Sequence, residues 1–240
     1  MAVPGVHEAV LEQVLALPRG RLLDVPCGQG ALTQQLVEAG FDVTSADVEP
    51  AGFRLSNRRC DAVDFDDPLP YDDGSFDAVV CVEGIEHCEN QYQLFREFRR
   101  ILRPGGHLIL STPNVMSLSA RMRWLLSGFD DVSPRPIRHD EDRLSYHHIN
   151  PVGVSFLELM CRRNGMTIAS ITANRIRKGS VALGAVLLPW IWLATHAVLR
   201  PRNRPEPMPQ VHAEVRRWLL SAPVLFGRVI VLHAVVDSPS

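Results

Sequence analysis

Short apolar runs alternate with amphipathic stretches along the first two thirds of the chain, and this alternation limits the fold more than any other feature. Four runs, each bounded by Gly, Pro or Asp, predict strands: RLLDVP (21–26), FDVTSAD (41–47), FDAVVCVE (76–83) and GHLILSTP (106–113). Two stretches between them, 30–40 and 90–106, place apolar residues at helical spacing, and the second ends in Arg-Pro-Gly-Gly, a basic last turn followed by helix breakers. The alternation predicts βαβ units, and therefore an α/β fold with a mostly parallel sheet and helices on both faces.

The remaining third continues this pattern around two irregular segments. Residues 114–150 show little periodicity apart from one candidate helix in SLSARMRWLLSG, and we expect a long loop that acts as a lid. A helix (152–164) and a strand (166–175) follow, and the last strand is predicted over 227–236. We therefore divide the chain into a core (1–178), a helical insertion (179–225) and a last strand with its C-terminal tail (226–240).

The insertion contains an uncharged stretch, VALGAVLLPWIWLATHAVL (181–199), with RIRK before it and RPRNR after it. Its length is close to the roughly 20 residues that span a bilayer. Basic residues at both ends give no orientation, and Pro189 and His196 weaken a simple span. Three interpretations stay open: a helix at the membrane surface, a helix buried against its own domain or in a homodimer, and a spanning helix.

The net charge of −2 conceals an uneven distribution of charge along the chain. Residues 1–160 carry 14 Lys and Arg against 24 Asp and Glu, whereas residues 161–240 carry 11 against 3. The acidic part argues against a broad nucleic-acid surface, while the basic part suits phosphate or anionic lipid headgroups.

The five cysteines, which are Cys27, Cys60, Cys81, Cys88 and Cys161, show no metal-binding or paired spacing, and no signal peptide opens the sequence. We therefore expect a cytoplasmic protein without disulfides or structural zinc. If the insertion binds lipid, the inner face of the membrane is its expected place.

The segment LLDVPCGQGAL ends the first predicted strand and opens the first helix. Asp24 ends the strand, and Gly28 and Gly30 form a tight turn where a backbone and a helix N-terminus can approach a ligand. Asp47 ends the next strand, where a carboxylate can take both ribose hydroxyls of a nucleoside cofactor. Because Pro26 occupies the first glycine position, the spacing does not match the dinucleotide motif.

This turn resembles the D-x-G-x-G-x-G motif of the class I S-adenosylmethionine-dependent methyltransferases. DFDDPLPYDDGSFDAVVCVEGIEH resembles the third and fourth motifs of that family, and FREFRRILRPGGHLILSTPN is similar to its helix and fifth strand. The resemblance covers about residues 20–175 and the last strand, and points to the ubiquinone-biosynthesis O-methyltransferase-like, type 11 group. It implies a Rossmann-like, seven-stranded, mostly parallel sheet, here with an apolar helical insertion before the last strand.

The resemblance also implies the cofactor, S-adenosyl-L-methionine. The residues implied in its binding are Asp24, Cys27, Gly28, Gly30, Asp47, Asp64, Phe65 and Glu83. The turn from Cys27 to Gly30 would hold the methionine part and Asp47 the ribose. Asp64 and Phe65 would bracket the adenine.

The segment VCVEGIEHCENQ (80–91) places Glu83, Glu86 and His87 at the exit of the fourth predicted strand, where this fold places its methyl acceptor. With His148 they resemble the metal site of the small-RNA 3′-terminal 2′-O-methyltransferases, and a similar E-x-x-E-H occurs in the ubiquinone-biosynthesis enzymes. Three hypotheses stay open. The four residues bind Mg²⁺, Mn²⁺ or Zn²⁺, or His87 or His148 acts as a metal-free catalytic base, or the motif is structural.

Other side chains of the 114–150 segment are weaker candidates. Tyr146 and Trp124 are candidates for the acceptor pocket, His147 is less favoured than His148, and His139 is expected in a solvated loop.

The leading hypothesis is an S-adenosylmethionine-dependent O-methyltransferase. Its expected acceptor is a small-molecule or lipid-linked hydroxyl, such as a quinone precursor, a glycan or a secondary metabolite, and nucleic acid is not an expected partner. The alternatives are an RNA ribose 2′-O-methyltransferase and a catalytically silent, cofactor-binding assembly partner.

Overall fold

The computed structural model describes residues 3–129, 148–199 and 209–238. Its strands form one seven-stranded sheet in the order β3-β2-β1-β4-β5-β7-β6. They are β1 Arg21–Asp24, β2 Asp42–Asp47, β3 Cys60–Ala62, β4 Phe76–Val82, β5 Leu102–Pro113, β6 Met166–Ala173 and β7 Val229–Val236. β7 runs antiparallel to β5 and β6, and the other neighbouring pairs are parallel. The predicted mostly parallel α/β sheet is confirmed.

Helices cover both faces of this sheet. They are α1 Val6–Leu15, α2 Ala31–Glu38, α3 Gln91–Ile101, α4 Leu118–Ser127, α5 Val154–Arg163, α6 Lys178–Val198, α7 Pro209–Leu219 and α8 Ala222–Phe226. α1 and α2 bury Val10 and Leu36 against one face, whereas α3 and α5 bury Phe98 and Leu157 against the other. Burial of these apolar helix faces is the main term that holds the layers together.

Helix α3 ends at Ile101, two residues before Arg103, where the basic last turn and the Pro-Gly-Gly breakers of the 90–106 stretch predict the end of the helix. The side chain of Asn90 caps the helix by accepting from Gln93 N, as expected for an N-cap. The helix stops at Ile101 because Leu102 already pairs with Phe76 in the sheet. Pro104, which cannot continue a helix, lies within β5 instead.

Strand β1 ends at Asp24, the residue that the sequence places at the strand end, and not at Pro26, where the run RLLDVP ends. It stops at Asp24 because Pro26 has no N–H to donate to the sheet. The sequence predicted neither the short strand β3 nor the helices α1, α7 and α8.

The apolar helix before the last strand is confirmed as α6, but its surface is largely exposed. Its buried residues are Ser180 and Gly184, while Trp190 is 69% exposed. By length and composition it is the one helix in the described part of the chain that could cross a membrane, which is weak support for a membrane role. The interpretation that it is buried against its own domain is wrong, because only 6% of its most apolar stretch is buried in the described structure.

Candidate active site

The turn after β1 is built on two glycines with positive φ. Gly28 (φ 52°) and Gly30 (φ 90°) adopt a backbone conformation that side chains disfavour. A Cβ at Gly30 would also lie 2.8 Å from Phe53 Cε2. Cys27 N donates to Ala46 O (2.9 Å), so the turn is fastened to the end of β2. The predicted cofactor turn thus lies where the carboxyl ends of β1 and β2 meet, a usual ligand position in such sheets.

Asp47 ends β2 and faces this turn. Its Oδ2 accepts from Gly28 N (2.8 Å) and its Oδ1 from Glu49 N (2.9 Å). A carboxylate has about four acceptor positions, so these two bonds leave capacity for ribose hydroxyls. The placement agrees with the predicted ribose contact, which stays a prediction.

Asp24 lies beneath the turn and is 1% exposed. Thr33 Oγ1 donates to its Oδ2 (2.5 Å), whereas Oδ1 has no hydrogen-bond partner in the described part of the chain. Burial raises the pKa of this carboxyl to about 7.

The residues predicted to bracket adenine lie just beyond the neighbouring strand β3. Val63 N donates to Asp47 O (3.0 Å), which places Asp64 close to the end of β2. Asp64 is exposed and its Oδ1 accepts from Asp66 N (3.0 Å). Phe65 is half-buried and packs edge-on against Phe98, with ring centroids 6.3 Å apart.

Two cysteines meet beside the turn, which the sequence did not indicate. Cys27 Sγ lies 3.3 Å from Cys60 Sγ, and burial raises the pKa of both thiols. Their proximity depends on β3, the strand whose short CDA sequence carries no clear pattern.

The backbone changes direction sharply at the exit of β4. Glu83 has φ 47°, the one positive φ of a non-glycine residue in the described ranges. Its N donates to Ser111 O (3.1 Å), and its Oε2 accepts from Val3 N (2.8 Å). Strained backbone of this kind concentrates at functional sites. The Glu83 carboxylate therefore contacts the N-terminal segment.

Three of the four residues predicted to surround a metal converge. The ligand atoms of Glu86, His87 and His148 lie within 4.8 Å of one another, and the two imidazole centroids are also 4.8 Å apart. Glu83 is not part of this cluster. The reason is local, because Ile85–His87 forms a short 3-10 turn and the positive φ of Glu83 turns its side chain elsewhere.

Comparison with known proteins identifies the domain that carries this edge. Residues 23–110 match the family model described as a methyltransferase domain. The chain contains a methyltransferase domain. The match begins at Leu23 in β1 and ends within β5, so it includes the turn, Asp47 and Glu86.

Two relatives of this methyltransferase domain are methyltransferases whose names include a quinone. The chain is 36% identical over 109 residues to a ubiquinone biosynthesis O-methyltransferase of Xanthomonas campestris, a match that covers 42% of this chain and 46% of the relative. It is 32% identical over 106 residues to a demethylmenaquinone methyltransferase of Renibacterium salmoninarum, covering 42% of this chain and 45% of the relative. The chain thus spans about half the length of the curated relatives it matches.

The fold of the methyltransferase domain also matches solved structures. A SAM-dependent methyltransferase from Archaeoglobus fulgidus superposes with a TM-score of 0.60 at 14% identity, covering 96% of this chain and 92% of that chain. This likeness shows that the chain has the Rossmann-like class I methyltransferase fold.

Within the methyltransferase domain, Glu86 is completely buried. Thr112 Oγ1 donates to its Oε2 (3.1 Å), while Oε1 has no hydrogen-bond partner in the part of the chain that the structure describes. Burial raises the pKa of the Glu86 carboxyl to about 8. An unpartnered buried oxygen in a native site suggests an ion or other ligand that completes it.

Residues that the sequence did not single out hold His148 next to this domain. Asn150 N donates to Glu86 O (3.0 Å), and Gln91 Nε2 donates to Ile85 O (2.9 Å) and Asn150 O (2.6 Å). Asn150 lies two residues after His148, and that proximity was the one available hint.

A cleft of about 350 Å³ adjoins the cluster. It is lined by Val115, Met116, Arg121, Trp124 and Pro151. Trp124, a predicted acceptor-pocket residue, is therefore in a suitable place. The other candidates in that segment, Tyr146, His147 and His139, lie outside the described residues.

Proposed function

We propose that this chain is an S-adenosyl-L-methionine-dependent O-methyltransferase that acts on a hydroxyl of a small or lipid-linked molecule. The observation that carries the proposal is the position of Glu86, His87 and His148 at the sheet edge that also holds the turn and Asp47. The names of the two quinone-biosynthesis relatives favour a quinone precursor as the acceptor.

For methyl transfer to a hydroxyl, the protein must position the two reactants and accept one proton from the acceptor. S-Adenosyl-L-methionine supplies an activated methyl group on a sulfonium. The turn and Asp47 would hold it, so that an acceptor bound near the cluster is in line for transfer. An acceptor hydroxyl must lose its proton, and an imidazole of His87 or His148 within hydrogen-bond reach can accept it.

A divalent ion is the alternative way to activate the acceptor. The donor set fits one, because one carboxylate and two imidazoles converge and Glu86 Oε1 is buried without a partner in the described chain. Glu86, His87 and His148 would hold the ion, which would lower the pKa of the acceptor hydroxyl. Of the three predicted ions, Zn²⁺ suits two imidazoles best, because Mg²⁺ and Mn²⁺ prefer oxygen donors.

Methyl transfer from labelled cofactor into a membrane extract tests the proposal. We expect the wild type to label a lipid-soluble product, and His87→Ala and His148→Ala to reduce the rate about 10²- to 10⁴-fold while still binding cofactor. His212→Ala, on α7, is the matched control and should keep the wild-type rate.

The outcomes separate the alternatives. Loss of activity on chelation with recovery on Zn²⁺ or Mn²⁺ favours the metal, and insensitivity to chelation favours the histidine base. Cofactor binding without transfer to any extract would contradict catalysis and support the silent partner. Labelled RNA would support ribose methylation, which the acidic charge of residues 1–160 disfavours.

We also propose that α4 and α6 bring the enzyme to the cytoplasmic face of a membrane. The helices are neighbours, since Ser180 Oγ donates to Ser119 Oγ (3.0 Å). Their exposed large apolar side chains, which we call the apolar surface, are Trp124, Leu125, Leu126, Val181, Val186, Leu188, Trp190, Trp192, Leu193 and Val198. Arg175 and Lys178 are exposed at the start of α6 and suit anionic headgroups. Lys and Arg beside an exposed apolar surface are favoured at membrane interfaces, where their charged ends reach the headgroups.

A further inference from the structure

The cleft beside the cluster contains a cation whose charge is not balanced in the described structure. Arg121 lies on α4 and is half-buried, and its Nε and Nη2 are shielded from solvent. Neither atom has a hydrogen-bond partner in the described part of the chain. Buried polar groups are nearly always hydrogen-bonded, and burying an unpaired charge is unfavourable. The desolvation also lowers the pKa of the Arg121 guanidinium, which agrees with this picture.

The other walls of the cleft have a different character. Val115, Met116, Trp124 and Pro151 are apolar or aromatic, and none of them can neutralise a cation. A planar guanidinium with unused donors matches a carboxylate or phosphate in a two-point contact. The combination suits an amphiphile that has one anionic group and an apolar or aromatic body.

The cleft is placed for an acceptor rather than for the cofactor. Pro151 in its wall follows Asn150, whose N donates to Glu86 O (3.0 Å). On its other side, α4 continues from Trp124 to the exposed Leu125 and Leu126 of the apolar surface. The cleft therefore lies between the cluster and the apolar surface.

We propose that Arg121 binds an anionic group of the methyl acceptor, a carboxylate or a phosphate, while the apolar body of the acceptor packs against Met116 and Trp124. This rests on the proposed function. It names the acceptor class as an anionic amphiphile and makes Arg121 a determinant of specificity.

Calorimetric binding of matched probes below their micelle concentrations tests the assignment without turnover. The probes are n-decyl phosphate, decanoate and the neutral n-decanol. We expect the wild type to bind decyl phosphate or decanoate at least about tenfold more tightly than decanol, the usual contribution of a charge-assisted hydrogen bond. Arg121→Gln should abolish this preference, Arg121→Lys should retain part of it, and Arg123→Gln on the same helix should retain all of it.

Two further measurements separate the possible failures. Cofactor binding to Arg121→Gln should equal that of the wild type, which shows that the variant is folded. If the wild type does not bind cofactor, the proposed function fails. If the wild type binds cofactor but binds decanol as tightly as both anions, or if Arg123→Gln loses the preference equally, only this inference fails.

Phosphatidylglycerol vesicles distinguish an acceptor from a lipid headgroup as the source of the anion. Equal vesicle binding by the wild type and Arg121→Gln is the expected result. A parallel loss of vesicle and decyl phosphate binding in Arg121→Gln would overturn the assignment to the acceptor, because Arg121 would then contact bilayer phosphates.

Discussion

Asp24 has an environment that is unusual for an ionisable side chain. It is 1% exposed, and its Oδ2 takes one hydrogen bond from Thr33 Oγ1 while Oδ1 has no partner in the described ranges. Desolvation dominates, and raises the pKa from 3.8 to about 7. The folded chain therefore retains a proton that the unfolded chain releases between these two values.

This linkage predicts that Asp24→Asn becomes more stable than the wild type as pH rises. The Asn side chain keeps an acceptor for Thr33 but cannot ionise. For the wild type without cofactor, the free energy of unfolding falls as pH rises from about 4 to about 7, and this contribution is constant above that range. In urea unfolding, Asp24→Asn should gain about 2 to 3 kcal/mol relative to the wild type between pH 5 and pH 8. The exposed Asp42→Asn should show no such gain, and a pH-independent difference for Asp24→Asn would contradict the raised pKa.

The exit of β4 and the turn after β1 fit together closely, with a glycine at the contact. A Cβ at Gly84 would lie 2.5 Å from Pro26 Cδ and 2.9 Å from Phe65 Cε2. The chain can pass here because the residue after the strained Glu83 has no side chain. The predicted cofactor turn therefore packs directly against the residue that precedes the Glu86–His87 part of the cluster.

Gly84→Ala should therefore destabilise the fold by about 1 to 3 kcal/mol through overpacking, and should weaken cofactor binding because Pro26 or Phe65 must move. Thermal unfolding and calorimetry measure the two effects. Gly179→Ala is the control, since in the described ranges nothing beyond its chain neighbours and its own helix backbone lies within 4 Å of a Cβ placed there. Equal stability of the two variants would show that the contact at Gly84 is not tight.

The sequence predicted elements well where patterns are long or bounded by turn residues. β1, β2, β4 and β5 were recognised from apolar runs, and the acidic residues at the ends of β1, β2 and β4 placed the site at one sheet edge. β3 was not predicted, because its three residues are all at least partly exposed and show no periodicity. α3 ends two residues before the predicted stop at Arg103, because the pairing of Leu102 with Phe76 is a tertiary contact that overrides the local helical pattern.

The sequence predicted which residues lie near one another in the candidate site, but it did not predict how their side chains are arranged. Proximity of His87 and His148 followed from the family resemblance, but the divergence of Glu83 depends on one backbone angle that no pattern reveals. Asn150 and Thr112 hydrogen-bond to Glu86 from distant parts of the chain, so the sequence alone could not identify them as site residues.

At the scale of the whole molecule, the described structure combines the candidate active-site edge with an exposed apolar surface. Large exposed apolar areas on soluble proteins mark interaction sites. The placement of the basic residues Arg175 and Lys178 beside this surface favours an anionic bilayer over a protein partner.

Sedimentation with vesicles of phosphatidylcholine and phosphatidylglycerol measures this interaction. We expect the wild type to bind, and the double variant Trp190→Ser, Trp192→Ser to bind at least about tenfold more weakly, because two aromatic side chains lose apolar burial. Phe156→Ser, an exposed aromatic on α5, is the matched control and should bind normally. Membrane binding would be contradicted if the wild type does not sediment with vesicles. If the wild type then forms dimers and the double variant does not, the apolar surface is a homodimer interface.

The central claim is that the edge formed by the carboxyl ends of β1, β2 and β4 binds S-adenosyl-L-methionine. Calorimetric titration of the purified chain with this cofactor measures it directly, with Asp47→Asn and Asp42→Asn, from opposite ends of β2, as a matched pair. The predicted result is one cofactor per chain, binding weakened about tenfold or more by Asp47→Asn, and no change for Asp42→Asn. No binding by the wild type, or equal affinity in Asp47→Asn, would contradict the account.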